Sequence, residues 1–200
     1  MSIDNKILML SLISISSKEG WLGITKLQKL SFLVEYLLSQ NDQRASDYEF
    51  FMYDLGPISL EVYNDFEFLM NEELVVENED GIRLGELGES MVEQFRGTIP
   101  KEISSAIQRI VFEYASMKTS KLVNTVHKMK IKLPDGTITR VEDIPKNLTV
   151  LPKPVKTIFR LGAEYLETFH IMSDRSLIKA IRQARRKGAK SREYEPLVSP

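Results

Sequence analysis

Between Thr25 and Gln40 the apolar residues Leu27, Leu30, Val34 and Leu37 recur at helical spacing, with Leu33 and Leu38 beside them. That pattern requires a helix with a broad face held against other elements. Thr25 is a suitable N-cap, and Gln28 three residues on completes a capping-box pattern. The polar stretch Asn41 to Asp47 ends the helix. Upstream, residues 3–16 predict another helix. Ile3, Ile7 and Leu10 fall on one stripe and Leu8, Leu12 and Ile15 on a second, so it is buried over much of its circumference. Serines interrupt this stretch and no small-x-small cleavage site follows, so it reads as a buried helix and not as a signal peptide.

Downstream, Tyr48–Tyr53 is short and aromatic and reads as a strand or an extended segment. Leu55-Gly56-Pro57 is a firm break, because Pro57 favours extended backbone at Gly56. A helix from Ser59 to Glu72 follows, with Val62, Phe66 and Leu69 inward. Leu74-Val75-Val76 and Ile82-Arg83-Leu84 flank an Asp-Gly turn and predict a β-hairpin. A helix over Glu86–Phe95 completes the set. Helix, helix, helix, hairpin, helix in this order resembles a winged-helix-like N-terminal unit over residues 1–96, with the aromatic segment interrupting the second and third helices.

Gly97 to Pro100 marks a boundary. Residues 97–172 predict helices at Lys101–Met117, Ser120–Met129 and Val155–Phe169. Between the last two lie a second Asp-Gly turn at Asp135-Gly136 and a long proline-punctuated loop. Residues 173–200 form a basic tail. The expected fold class is therefore mainly α with small β-hairpins, the winged-helix-like unit being followed by C-terminal helices.

Charge divides the chain. Residues 41–96 hold fifteen acids and three bases, whereas residues 97–172 and 173–200 each carry a balance of +5. A polyanion and a polycation would meet different parts of this molecule. On the helix and hairpin of residues 59–84, Glu61, Asp65, Glu72, Glu77, Glu79 and Asp80 form an acidic face that suits a protein partner and repels phosphate. In the tail, Arg175, Lys179, Arg182 and Arg186 share one helical face and are candidate nucleic-acid contacts.

Catalytic signals are absent. There is no cysteine, and His127 and His170 stand at no metal-ligand spacing. No nucleophile elbow, phosphate loop or dinucleotide fingerprint is found. Tyr53 and Asp54, beside Gly56 and Pro57, are candidates to line a cleft, with nothing else to make them a nucleophile and base. The expectation is a non-enzymatic chain without metal or cofactor. No apolar run approaches the roughly 20 residues needed to cross a bilayer, so a cytoplasmic location and no membrane partner are expected.

Ile24-Thr25-Lys26-Leu27-Gln28-Lys29-Leu30, the aromatic run of Tyr48 to Tyr53 into Leu55-Gly56-Pro57-Ile58-Ser59, and Leu74-Val75-Val76 with Leu87-Gly88 resemble the Panacea family, which includes SocA-like antitoxins. The likeness covers roughly residues 5–130. Leu55 stands where that family often has Tyr, Gly85 and Leu87 replace its usual Thr step, and Lys121 stands where Glu is typical. The resemblance implies a regulatory module that neutralises a toxin by binding it, or an adaptor that presents a partner to a protease. It also implies that Lys26, Lys29 and the Gly56-Pro57 turn lie near the functional surface. The alternative from charge is a winged-helix transcription regulator contacting DNA through its basic C-terminal region.

Overall fold

The structure is a computed structural model and describes residues 2–174, 176–180 and 183. Helix α1 spans Ile3–Ser16 and is buried on nearly every side, as its two apolar stripes predict. Helix α2, Ile24–Ser39, starts one residue before the expected cap: Gly23 is its N-cap and no side chain caps it. The capping-box expectation for Gln28 is therefore corrected, because that side chain is committed to another element. Leu27, Leu30 and Phe32 are fully buried on α2, each contributing about 2 kcal/mol of transfer free energy.

Strands β1 (Phe50–Tyr53) and β2 (Gly56–Ile58) fill the space between the second and third helices. Helix α3 spans Leu60–Asn71, and β3 (Val75–Asn78) and β4 (Gly81–Leu84) form the expected hairpin. Gly81 turns it with φ +97°. A Cβ there would lie 2.6 Å from the Leu22 carbonyl, which accepts the Ile82 N–H at 2.7 Å, so glycine lets the hairpin dock against the chain before α2. Helix α4 covers Glu86–Phe95, α5 covers Lys101–Tyr114 and α6 covers Thr119–Lys128. A second hairpin, β5 (Lys130–Lys132) with β6 (Ile138–Arg140), encloses the other Asp-Gly turn.

The proline-rich loop wraps the surface and supplies an unforeseen strand, β7 (Thr149–Leu151). It pairs antiparallel with β1 to give a sheet in the order β2-β1-β7. Helix α7 runs Ala163–Ser173, which corrects the helix expected from Val155. Over 155–162 the backbone is drawn elsewhere: Ile158 N–H donates to Arg44 O at 2.9 Å and Leu161 N–H to Asp4 Oδ1 at 2.9 Å. Phe159 fills the core in place of a helical stripe. The chain is mainly helical with small antiparallel sheets. One apolar core draws on residues from Ile7 to Phe169. Helix α2 is its centre, with α5, α6 and β2 all packed on it.

Candidate partner-binding surface

The polar residues of α2 are internal. Lys26 Nζ donates to Ala115 O at 3.0 Å, and Lys29 Nζ donates to Pro57 O at 2.8 Å. Gln28 bridges both backbone groups of Ser59: its Nε2 donates to Ser59 O at 2.9 Å and its Oε1 accepts the Ser59 N–H at 3.0 Å. All three side chains are buried. Lys26 and Lys29 are therefore internal, and Gly56 and Pro57 are buried as well, directly beneath the exposed Leu55 tip. The physical reason is backbone satisfaction: β2 and the start of α3 expose carbonyls and an amide toward α2, and buried polar groups need partners. Burial pushes the Lys29 amine down to about 8, and Lys26 in the same direction.

Gly56 holds φ +88°. A Cβ there would sit 3.2 Å from the His127 ring and 3.6 Å from Lys29 Cε, so the turn, α2 and α6 meet at this point. Nε2 of His127 is buried there without a hydrogen-bond partner among the described residues.

Asp65 also leaves the predicted acidic face. It is buried, ion-paired with Lys6 at 2.7 Å, and accepts the Tyr48 hydroxyl at 3.0 Å. Burial raises its pKa against the opposing pull of Lys6 and Tyr48, and burial with the neighbouring Asp65 holds the Tyr48 hydroxyl well above its ordinary range. A second internal pair stands nearby. Glu35 accepts from Arg44 Nε at 2.7 Å and from Ser46 N–H and Oγ at 2.8 and 2.6 Å, which fastens the 44–48 segment onto α2. Both are internal ion pairs whose charged groups also hydrogen-bond to neighbouring backbone or hydroxyl groups.

The remaining predicted acids disperse. Glu61 is half-buried and accepts the Ser59 hydroxyl at 2.7 Å, and Glu72 is half-buried at the end of α3. Glu77, Glu79 and Asp80 are exposed at the β3–β4 turn, Asp80 beside Arg83 at 3.5 Å. Tyr53 and Asp54 stand exposed at the β1–β2 tip, where Asp54 is ion-paired with Lys146. Lys179 is exposed, while Arg175, Arg182 and Arg186 lie outside the described residues.

The tip carries a feature that periodicity missed. Tyr53, Leu55, Leu60 and Tyr63 are 48, 51, 57 and 38 % exposed, all within the β1–β2 tip and the first turn of α3. Leu148 is exposed alongside, its carbonyl accepting the Met52 N–H at 2.9 Å. The signal was present: Leu60 and Tyr63 lie outside the stripe of Val62 and Leu69 that faces the core. Four exposed large apolar residues fall within the eleven residues 53–63, whereas apolar residues scattered singly over a surface need no explanation.

The cavity under Glu35 and Ser46 is about 30 Å³, room for a water and not for a substrate. The groove between α1 and α4 is about 480 Å³ and mixes Lys18, Arg83 and Arg96 with Glu89 and Glu93. Among the described residues no three His, Asp or Glu side chains are placed to hold a metal ion, and no helix is long and apolar enough to cross a membrane. No family model, curated protein or solved structure matches the chain.

Proposed function

We propose that this chain is a non-enzymatic, cytoplasmic regulatory module that binds a protein partner through the β1–β2 tip and the outer face of α3. The observation that carries the proposal is the set of four exposed apolar side chains, Tyr53, Leu55, Leu60 and Tyr63, on a backbone fixed from beneath. Fixation comes from Gln28 on Ser59 and Lys29 on Pro57, so little ordering entropy is lost when a partner docks. Tyr and Leu form the apolar centre, and Asp54, Lys146 and Glu67 form a charged rim. The residues of the Panacea resemblance support the same assignment in an unexpected way. Gln28, Lys29, Gly56 and Pro57 do not contact the partner; they shape the surface that does, while Lys26 holds the Ala115 carbonyl at the end of α5. On this view the first 96 residues are a winged-helix-like unit whose acidic helix and wing no longer suit DNA, and the partner is a toxin or a protein delivered to a protease.

The test is affinity purification of the tagged full chain from its native host beside the Leu55→Glu, Leu60→Glu double variant. A stoichiometric protein partner recovered with the wild type and lost with the variant is expected. Absence of any such partner, or equal recovery by a folded variant, refutes the proposal.

A further inference from the structure

The molecule contains two helix-plus-hairpin units of opposite charge. The first, α3 with β3–β4, holds eight acids and one base over residues 60–83. The second, α6 with β5–β6, holds six bases and one acid over residues 118–140. We infer that the second unit is a binding face for duplex DNA, with α6 entering the major groove and the β5–β6 hairpin resting on the adjacent phosphates.

Local architecture supports this. The four residues 115–118 join α5 to α6, the connection length of a helix-turn-helix, and both helices pack on α2. Leu122, Val123 and Val126 turn α6 inward against the core. Its outer face then presents Ser120, Lys121, Asn124 and Lys128, all exposed, with half-buried Thr125 between them. These line a shallow hollow of about 380 Å³. Helix α6 contains no acid. Lysine suits phosphate or guanine, asparagine suits adenine, and the spacing 121, 124, 128 puts the three on one side of a helix that a major groove admits.

The hairpin adds an energetic argument. Lys130 and Arg140 are direct cross-strand neighbours, and both are exposed. Like charges in that position destabilise a two-stranded sheet. Arg140 has Glu142 at 3.3 Å, but among the described residues no acid pairs with Lys118, Lys121, Lys128, Lys130 or Lys132. The acid within the unit, Asp135, sits at the turn and accepts the Thr137 N–H at 2.9 Å. A polyanion relieves this crowding. No Phe, Tyr or Trp occurs over 118–140, so a single strand finds no stacking platform there. The preference is for duplex.

The experiment is fluorescence anisotropy of the full chain on a mixed-sequence duplex of about 24 bp. With about four phosphates neutralised, affinity should fall about 100-fold between 50 and 200 mM salt. The Lys121→Glu, Lys128→Glu variant should bind at least tenfold more weakly with a shallower salt slope, at an unchanged melting temperature. The Arg175→Ala, Arg182→Ala, Arg186→Ala variant should retain binding. Four results would overturn the inference: no duplex binding at 50 mM salt; undiminished binding by the charge-reversed variant; loss confined to the tail variant; or polyglutamate bound as tightly as duplex, which would assign the face to an acidic protein.

Discussion

Replacing Lys29 with methionine should alter the slope of stability against pH in a direction opposite to ordinary alkaline denaturation. The Lys29 side chain is fully buried, with its ammonium on the Pro57 carbonyl. Burial moves its pKa from 10.5 to about 8. At pH 7 the amine is protonated in both folded and unfolded chains, and the folded state bears the buried charge. Between about 8 and 10.5 the folded amine has lost its proton while the unfolded one retains it. The unfolded state then binds more protons, so stability rises with pH across that window. The gain from pH 7 to pH 10 is about 2.5 kcal/mol. Lys29→Met removes this contribution. At pH 7 the variant loses the donor to Pro57 but also a buried charge, two effects of opposite sign and similar size. Urea denaturation of both chains at pH 7, 8, 9 and 10 isolates the slope. Tyr48, whose raised pKa withdraws stability from about pH 10 upward, is common to both and cancels in the difference. The wild type should gain on the variant by about 2.5 kcal/mol over this range. Parallel stability profiles would refute the assignment of a depressed Lys29.

Two further perturbations test the frame beneath the proposed surface. Asp65→Asn leaves Lys6 as a buried, uncompensated cation and should cost about 3–5 kcal/mol in chemical denaturation; a loss below about 1 kcal/mol would mean that the pair is solvated. Gln28→Ala strips partners from both backbone groups of Ser59 and should cost about 2–4 kcal/mol, whereas a capping role would have cost about 1 kcal/mol, so thermal denaturation separates the two.

Element type was legible wherever a segment carried its own pattern. The two stripes of α1, the Asp-Gly hairpins and the helix Glu86–Phe95 could be read directly, because periodicity and turn chemistry are local. What remained hidden depended on distant partners. The strand Thr149–Leu151 is three residues long and exists only because β1 offers an edge. The helix expected at Val155 yields to bonds with Arg44 and Asp4, residues more than a hundred positions away. The same holds for the site. Asp65 and Lys29 look like surface charges in a sequence, since lone ionisable residues are seldom buried. Only the fold supplies Lys6, Tyr48 and the Pro57 carbonyl to receive them.

Net charge is a poor guide to what this molecule attracts. At −1 the whole chain should be indifferent to a polyanion. At physiological salt, however, screening limits each charge to about 8 Å, so a docking partner responds to the face it meets and not to the sum. The face of α6 and β5–β6 offers six bases against one acid, and that of α3 and β3–β4 one base against seven acids, Asp65 being buried. Each unit attracts what the other repels. A duplex approaching the acidic unit is turned away, so the attraction of the basic unit also sets the orientation of binding. Helix α2 carries α3 and β2 as well as α5 and α6, and Gly56 meets His127 where the tip touches α6. The two surfaces are therefore mounted on one core, and a partner on the tip and a duplex on α6 must fit the molecule at the same time or exclude each other by bulk.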